Sequence, residues 1–375
     1  MSDKNSITFV AAGDFGPLPF REHPEDVFDL TRSIFKQADI SFLQLEKNLT
    51  ERGTVQLQVP RSIARTRPIA AKALADAGID IVSFASNHTL AFSNEGLFDT
   101  LDNLAKNNVR VIGAGRNIDE AKKPAIFEIN GTKIGFLAYC TIVPKGFEAW
   151  KDKPGLNPVK VSTHYEQVDW APGTPPRTVT KADPGDLAAM IDDIKKLRPQ
   201  VDVLMVSQHW GVHYVPALIS MDQYEIGHAA IDAGADLIIG HHAHILKGIE
   251  IYKDKAIFFS MGTFMMDHPH SMMHGSVLGH LRETFKWDPD PEYPNFAFPR
   301  DAQKSIIVKC TIADKKIQRV AFLPVWINKL GQPESLPASD PRSDQVKDYI
   351  EWTIKDQWLN GKFTREGDEF VVQTQ

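Results

Sequence analysis

Histidines are concentrated in one part of this chain, and their spacing suits the binding of a metal ion. Ten of the thirteen histidines lie between positions 209 and 280, and three of them belong to the run Gly240-His241-His242-Ala243-His244. Alternate side chains of an extended segment lie on the same side, so His242 and His244 can face one atom. Because neutral imidazole is a common metal ligand, we expect this pair and His209 to hold a divalent cation.

Apolar segments typical of buried parallel strands precede these histidines. Residues 235–239 lead directly into Gly240, and residues 203–206 lead in the same way towards His209. Three earlier segments of this kind end in polar side chains: 7–12 in Asp14, 40–45 in Glu46, and 81–85 in Asn87-His88. The carboxyl ends of parallel strands meet at one edge of a sheet, where such folds place their sites. We therefore expect oxygen and imidazole side chains to meet at one edge.

Helical segments separate the first four predicted strands, and hairpins follow. The predicted helices cover 70–77, 94–106, 186–197, 222–233 and 344–358. The predicted hairpins turn at Asn130-Gly131, 253–255 and 314–316, and Asn-Gly between apolar runs is the strongest turn signal of the three. Two long irregular excursions, 144–184 and 265–300, interrupt the pattern, and the first has the length of a lid. This order predicts an α/β domain over 1–330 and a helical extension over 331–375 packed on the same domain.

Composition excludes several classes of protein. A net charge of −6 and a pI near 6.1 argue against a nucleic-acid-binding surface, which is usually basic. No run approaches the ~20 apolar residues of a membrane span, and the polar N-terminus lacks the pattern of a secretory signal. Cys140 and Cys310 lie in apolar strand-like runs and are expected to be buried thiols. We therefore expect a cytoplasmic protein, and its oligomeric state stays open.

Short runs spread over roughly the first 265 residues occur in a fixed order. They are Ala12-Gly13-Asp14, Leu45-Glu46-Lys47-Asn48, Ser86-Asn87-His88, Gly113-Ala114-Gly115, His209-Trp210-Gly211, residues 232–236 with 240–244, and Ser260-Met261-Gly262-Thr263-Phe264. As an ordered set they resemble the family named for the poly-γ-glutamate capsule protein CapA, a branch related to calcineurin-like metallophosphoesterases. The resemblance implies a four-layer α/β/β/α sandwich with a metal centre where the strand ends of two sheets meet.

The chain departs from the patterns of these families at five places. Gly16 replaces a histidine two residues after the first aspartate, and Leu45-Glu46 replaces a Gly-Asp motif. Ala91 and His213 replace acidic residues of the CapA branch, and Thr263 replaces an asparagine. The first two changes weaken the first half of a two-metal site. The other three indicate a substrate or reaction different from the capsule polymer.

The strand ends supply a mixed set of oxygen and nitrogen ligands. The predicted metal ligands are Asp14, Glu46, Asn87, His209, His242 and His244. Such a set favours Mn, Zn or Fe over a structural thiolate zinc. With two ions, Glu46 or Asn87 would lie between them; with one, the ligands would be His209, His242 and either Asn87 or His244. His88 is predicted to donate the proton that the leaving group needs, and its alternative role is a buried histidine that fixes the loop.

Substrate contacts are predicted from side chains near this centre. Arg61, Arg65 and Arg67 can form paired hydrogen bonds with a carboxylate or phosphate, although a solvated basic loop is an equal alternative. The other predicted contacts are Trp210, His213, His241 and His270. Trp210 could form the wall of a substrate pocket, and core packing is its default interpretation. His270 lies in a loop that would add ligands or close over a substrate.

Three functions remain open at this point. The first is hydrolysis of an amide, γ-glutamyl-like or peptide bond in a small acidic substrate by metal-activated water. The second is a phosphoesterase. The third is a non-hydrolytic epimerase or biosynthetic accessory protein, in which Asp14 and a histidine act as acid and base. In each case the expected partner is a small molecule or a peptide.

Overall fold

Two large β-sheets organise the computed structural model, which describes residues 6–57, 65–171, 173–270, 282–284, 286–287 and 289–374. The first sheet has ten strands and the second has six, and three pairs of short strands complete the described sheets. The predicted mixed α/β class is confirmed.

In chain order, the described strands are β1 (Ile7–Gly16), β2 (Ile40–Leu45), β3 (Asn48–Leu49), β4 (Arg65–Thr66), β5 (Ile81–Ser83), β6 (Arg110–Ile112), β7 (Ala114–Gly115), β8 (Ala125–Ile129), β9 (Thr132–Cys140), β10 (Gly155–Leu156), β11 (Val161–Glu166), β12 (Arg177–Ala182), β13 (Val203–His209), β14 (Leu237–His241), β15 (Ile249–Tyr252), β16 (Lys255–Phe258), β17 (Thr263–Met266), β18 (Lys304–Ala313), β19 (Lys316–Ile327), β20 (Pro333–Ser335), β21 (Phe363–Glu366) and β22 (Glu369–Val372). The described α-helices are α1 (Arg32–Gln37), α2 (Ala70–Ala77), α3 (Ser93–Lys106), α4 (Ile118–Ala121), α5 (Pro184–Leu197), α6 (Met221–Ala233) and α7 (Pro341–Asp356). Short 3-10 helices cover Pro24–Phe28, Arg198–Gln200 and Arg300–Gln303. All the helices in the described ranges are too short or too polar to cross a lipid bilayer.

Each large sheet has a parallel part that ends at the candidate site. In the first sheet the order is β21-β22-β19-β18-β1-β2-β5-β6, with β17 parallel to β1 and β20 beside β19. Strands β1, β2, β5 and β6 are parallel to one another. In the second sheet the order is β15-β16-β14-β13-β9-β8, and β9, β13, β14 and β16 are parallel. Parallel strands deliver their carboxyl ends to the same edge, which gathers the polar residues that follow them.

Alternate residues of the second sheet face two different hydrophobic cores. Val203 and Met205 of β13 belong to the core that the two sheets share, whereas Leu204 and Val206 pack with α5 and α6. Helices α2 and α3 pack against the first sheet within the shared core. A strand buried on both faces needs an apolar residue at every position, which is why β13 and β14 read as continuous apolar runs. Helices α5 and α6 therefore cover the face of the second sheet that is turned away from the shared core.

The first predicted excursion and the C-terminal extension contain more regular structure than the sequence indicated. Within 144–184, β11 and β12 form an antiparallel hairpin, and β10 pairs with β7, so the expectation of an irregular segment is wrong there. Most residues of β11 are exposed, and without a buried face the hairpin has no apolar alternation.

The C-terminal part contains the predicted helix, α7, followed by β21 and β22, which extend the first sheet through β19. It is therefore more than a helical extension.

The close approach of Gly13 to the β17 side of the sheet gives a testable prediction. A Cβ atom at position 13 would lie 1.9 Å from the backbone oxygen of Gly262. Backbone cannot move aside as a side chain can, so we expect Gly13→Ala to lower the free energy of unfolding by about 3 kcal/mol. Chemical denaturation measures this. Gly185→Ala is the matched control, because a Cβ there meets only the Asp183 side chain at 3.2 Å, and an equal loss in both variants would contradict the prediction.

Candidate metal centre

The strand ends of both sheets place six polar side chains together. Asp14 lies in β1, Glu46 follows β2 directly, and Asn87 follows β5 after a short loop. His209 is the last residue of β13, and His242 and His244 follow β14. All but Asn87 are at most 5% exposed. The edge predicted from the sequence therefore exists, and it collects ligands from the two sheets.

The carboxylates and imidazoles form two overlapping groups. One contains Glu46, His209 and His242, and the other contains Asp14, Glu46 and His244; within each group the ligand atoms lie within 4.8 Å of one another. We call them the Asn87-side group and the Asp14-side group, because Asn87 Oδ1 lies 2.9 Å from Nε2 of His209. Glu46 belongs to both. The expectation that Glu46 or Asn87 would lie between two ions stays a prediction.

Ring nitrogens and carboxylate oxygens face one another across the centre. Nδ1 of His242 lies 3.1 Å from Nε2 of His209. Nδ1 of His244 lies 3.4 Å from Oδ2 of Asp14, and its Nε2 lies 3.5 Å from Oε2 of Glu46. The backbone N–H of His242 donates to Oδ2 of Asp14 at 3.2 Å, which fixes that carboxylate. The separations are those of donor atoms that can share a cation.

The backbone of the histidine loop differs from the extended segment that the sequence suggested. His242 has a φ of 87° and His244 a φ of 57°, so both adopt the left-handed conformation that non-glycine residues rarely take. Such residues cost about 1–3 kcal/mol each and cluster at functional sites. The side chains therefore do not alternate as they would in an extended strand, and the two imidazole rings belong to different ligand groups. The expectation that they face one atom is wrong in this respect.

Several buried polar atoms of the centre have no hydrogen-bond partner among the residues that the structure describes. They are Oδ1 of Asp14, both Oε atoms of Glu46 and Nδ1 of His209. Buried polar atoms are almost always paired, and buried charges are paired or coordinate metals. A divalent cation would supply the missing partner to both carboxylates, so the residues fit the predicted Mn, Zn or Fe.

The pKa values of the Asp14 and Glu46 carboxyl groups depend on burial, on each other and on His244. Burial raises the pKa of Asp14 well above its ordinary value, and Glu46 adds to this rise. Burial also raises the pKa of Glu46, but the neighbouring imidazoles, above all His244, lower it by more. Burial alone would lower the pKa of His244, and the two carboxylates raise it. Glu46 and a proton on His244 therefore favour each other, and a cation bound at these side chains would compete with that proton.

His88 lies beside the centre and is its least buried imidazole. Its Nε2 is 3.3 Å from Nδ2 of Asn87 and 3.8 Å from Oε1 of Glu46. Its Nδ1 is buried without a partner. Burial lowers the pKa of His88 to about 4, so the ring is neutral near pH 7. The sequence predicts that His88 donates a proton to the leaving group. A neutral ring must first accept that proton.

The predicted histidine contacts lie at different depths. The ring of His213 is 3.7 Å, centroid to centroid, from that of His242, and its Nε2 has no partner. His241 is fully buried and stacks on Phe42 at 5.7 Å, which places it between the two sheets. His270 is partly exposed, and its Nε2 also lacks a partner. His213 therefore adjoins the candidate ligands, whereas His241 has the surroundings of a packing residue.

Trp210 packs in a core cluster, and two of the predicted arginines line a cavity. Trp210 is fully buried in the core under α6, and its Nε1 donates to the backbone oxygen of Phe259 at 2.9 Å. The prediction that it forms a pocket wall is corrected to core packing. Arg65 and Arg67 line a cavity of about 260 Å³ together with Pro19, Thr50, Glu51 and Thr66. Arg61 lies outside the described residues.

A buried cationic cluster next to the centre was not singled out from the sequence. The carboxylate of Asp267 accepts two hydrogen bonds from Arg21, both at 2.7 Å, and one from the backbone N–H of Leu18 at 2.9 Å. Nζ of Lys47 donates to the backbone oxygen of Asp267 at 3.2 Å. The position of Lys47 directly after Glu46 was a usable signal, because adjacent charged residues at a buried strand end are unusual.

Comparison with known proteins identifies one family and several relatives. The family described as "Bacterial capsule synthesis protein PGA_cap" matches residues 6–268. The PGA biosynthesis protein CapA of Bacillus subtilis (strain 168) is 29% identical over 293 residues, which make up 77% of this chain and 70% of the relative. A probable polyglutamine synthesis accessory protein of Mycobacterium tuberculosis (strain H37Rv) is 28% identical over 261 residues, covering 68% of this chain and 63% of the relative. Among solved structures, the calcineurin-like phosphoesterase YfkN from Bacillus subtilis has a TM-score of 0.42 and 12% identity, and the match covers 94% of this chain and 97% of that one.

Proposed function

The chain belongs to the bacterial capsule synthesis protein PGA_cap family, and on that premise we propose that it is a divalent-metal-dependent hydrolase. Its proposed target is an amide bond, of γ-glutamyl or peptide type, in a small acidic substrate. The observation that carries the proposal is the convergence of Asp14, Glu46, Asn87 and three histidines, with buried carboxylate oxygens that have no partner. A purely structural protein has no use for such a set. The cytoplasmic location expected from the sequence stays a prediction.

Six side chains are proposed to hold the cation or cations. Glu46, Asn87, His209 and His242 would hold one, and Asp14, Glu46 and His244 a second. When bound, a divalent ion supplies Lewis-acid chemistry, which makes water nucleophilic near neutral pH and polarises the bond under attack. The backbone N–H of His242 holds Asp14, and Thr263 Oγ1 lies 3.2 Å from Nδ1 of His244. These contacts keep the ligands in place before a substrate arrives.

His88 is proposed to move the proton during the reaction. Because burial keeps its pKa at about 4, the ring is neutral and can accept a proton from the attacking water. It can then return that proton to the leaving nitrogen, which an amide requires for expulsion. Its Nε2 is within hydrogen-bonding distance of Asn87. The ring therefore lies beside the proposed ligands, and it belongs to neither of the two carboxylate-containing groups.

The acidic character of the substrate is proposed from the arginine-lined cavity and from the family. Arg65 in β4 is paired in parallel with Asn48 in β3, two residues after Glu46. The guanidinium of Arg65 lies 5.0 Å from the centroid of the Phe92 ring, and Arg65 and Arg67 share their cavity with Glu51. Guanidinium groups bind carboxylates in a paired geometry. The named relatives act in PGA biosynthesis or polyglutamine synthesis, which suggests a glutamate-like ligand.

The reaction class is tested with isotopically labelled water. Purified protein supplied with Mn or Zn is incubated with γ-glutamyl oligopeptides in heavy-oxygen water, and products are examined by mass spectrometry. Amide hydrolysis places one labelled oxygen in the new carboxylate. Cleavage of aryl phosphates without amide turnover would instead establish the phosphoesterase. The observation that favours a phosphoesterase is that Glu46 belongs to both ligand groups. Exchange of an α-hydrogen without label uptake would establish the epimerase.

Replacing His88 tests the proposed proton transfer. We expect His88→Gln to lower kcat about 10²-fold or more, because glutamine cannot take up and release a proton. The metal content should not change, since His88 belongs to neither ligand group. His23→Gln, at an exposed position, is the control. Loss of bound metal in His88→Gln would show that His88 is a ligand, and an unchanged kcat would show that another residue moves the proton.

A further inference from the structure

The β11–β12 hairpin has one edge that packs on the rest of the chain and one edge that does not. On the β12 side, the backbone N–H of Ala182 donates to Oε2 of Glu225 in α6 at 2.9 Å. The backbone N–H of Asp222 in α6 donates to Oγ1 of Thr180 at 3.2 Å. On the other side, β12 is the only strand that pairs with β11 among the residues that the structure describes. The hairpin is therefore held against α6 through β12, and the outer edge of β11 is open.

The pairing within the hairpin decides which backbone groups lie on the open edge. The backbone N–H of Asp183 donates to the backbone oxygen of Lys160 at 2.7 Å, and the ladder continues from there to the end of β11 without a bulge. Successive residues of an antiparallel strand direct their N–H and C=O groups to opposite sides, so the even-numbered residues face β12. The N–H and C=O groups of Val161, Thr163 and Tyr165 therefore point away from β12, where another strand can pair with them.

Strand β11 lacks the features that usually prevent an open edge from pairing. Soluble proteins block such edges with a proline, a bulge or a lysine in the strand. Residues 161–166 contain neither proline nor lysine, and their register with β12 is regular. The hairpin also carries apolar side chains in solvent: Tyr165 is 73% exposed, Val168 65% and Trp170 92%. An unblocked edge beside exposed apolar side chains is suited to the addition of a strand.

The sequence around β11 is complementary to itself in one antiparallel register. When two copies pair about a two-fold axis through Thr163, Lys160 of each copy lies opposite Glu166 of the other. In the same register Val161 lies opposite Tyr165, and the outward backbone groups of the odd-numbered residues align as antiparallel pairing requires. A shift of two residues in either direction keeps that alignment but loses both charge pairs. Opposite charges and an aliphatic–aromatic pair directly across two strands are stabilising, and the symmetry provides each of them twice.

We propose that two copies of this chain associate through the open edge of β11, so that the two hairpins form one antiparallel sheet in the order β12-β11-β11-β12. The partner is a second copy because the charges and apolar side chains of the strand match those of the same strand turned by the two-fold axis. This inference does not depend on the metal centre or on the reaction. A failure of the proposed hydrolysis would therefore leave it intact, and the reverse is also true.

Analytical ultracentrifugation of the full chain at a series of concentrations tests the proposal. We expect a dimer that dissociates on dilution. Thr163→Pro removes the outward N–H without disturbing the bonds to β12, and proline is tolerated at such an edge position, so this variant should fold and its dimer Kd should rise at least about tenfold. Circular dichroism confirms the fold. Lys181→Glu changes the charge of an exposed residue of β12 and is the matched control.

Exchange of the two charges tests the register. Glu166→Lys and Lys160→Glu each place like charges opposite each other, and each should weaken its own dimer about tenfold. An equimolar mixture of the two variants should associate again, because both charge pairs are then of opposite sign. Nζ of Lys160 also lies 3.5 Å from Oδ2 of Asp186 in its own chain, so the recovery on mixing is the decisive readout, since a loss of folding could not produce it.

Three outcomes would overturn the proposal. A wild-type chain that stays monomeric at every concentration has no such interface. A dimer that persists unchanged in Thr163→Pro and in Glu166→Lys uses another surface. Two weakened variants that do not associate with each other would contradict the register in which Lys160 lies opposite Glu166.

Discussion

Glu46→Gln is expected to lower metal-dependent turnover by at least about 10³-fold. Within the described ranges, Glu46 is the one residue that belongs to both ligand groups, so its replacement weakens either position that a cation can take. Both of its carboxylate oxygens are buried without a hydrogen-bond partner, and an amide that replaces them brings an N–H group towards the cation. The rate is measured on the substrate that the labelling experiment identifies, and bound metal is measured in the same preparation.

The control for this variant is Glu128→Gln, which removes a carboxylate from an exposed position of β8. It should retain metal and activity. Thermal unfolding of both variants shows whether Glu46→Gln is folded, which we expect because glutamine has nearly the same volume. A variant that lost metal but kept its activity would show that the reaction does not use the cation. A variant that kept both would remove Glu46 from the centre altogether.

The elements with strong local signals could be predicted closely. Helix α2 covers the predicted residues and ends at Gly78, whose φ of 92° needs glycine. The Asn130-Gly131 turn joins β8 and β9 with φ values of 50° and 73°, as a two-residue hairpin requires. Both signals depend on a few adjacent residues. They were therefore available without knowledge of the tertiary structure.

The elements that were missed lack such local signals or have weaker ones. Hairpin β11–β12 is almost entirely exposed, and its polar residues carry no pattern of burial. The β21–β22 hairpin turns at Gly367-Asp368, a recognised turn pair, between short apolar runs. Its assignment to the first sheet depends on pairing with β19, a long-range contact that periodicity does not reveal.

The composition of the centre was predictable because strand ends in a parallel sheet converge. Residues that lie 230 positions apart, from Asp14 to His244, come together for that reason. The division of His242 and His244 between two groups was not predictable, because it follows from their left-handed backbone. The surroundings of Trp210 and Lys47 were also hidden. Trp210 packs under α6 and Lys47 packs against Gly16, and the one local signal for Lys47 was its position directly after Glu46.

A saturating divalent cation is expected to stabilise the wild-type protein by about 4 kcal/mol when its concentration is about 1,000 times Kd. The unfolded chain scatters its ligands over separate segments and binds the ion poorly, so nearly all of the binding free energy favours the folded state. For a chain of 375 residues the corresponding rise in Tm is about 5 °C. Scanning calorimetry with and without the metal measures it.

His209→Gln should lose most of this rise, because His209 contacts both Asn87 and His242 and belongs to the group with four ligands. The matched control, His164→Gln, replaces an exposed histidine of β11 and should keep the whole rise. Nonspecific binding to surface histidines or carboxylates would stabilise both variants equally and would contradict a defined centre. If only His209→Gln loses the rise in Tm, the strand end of β13 must supply a ligand. The metal-free variant would still have the same two sheets and the same buried carboxylates.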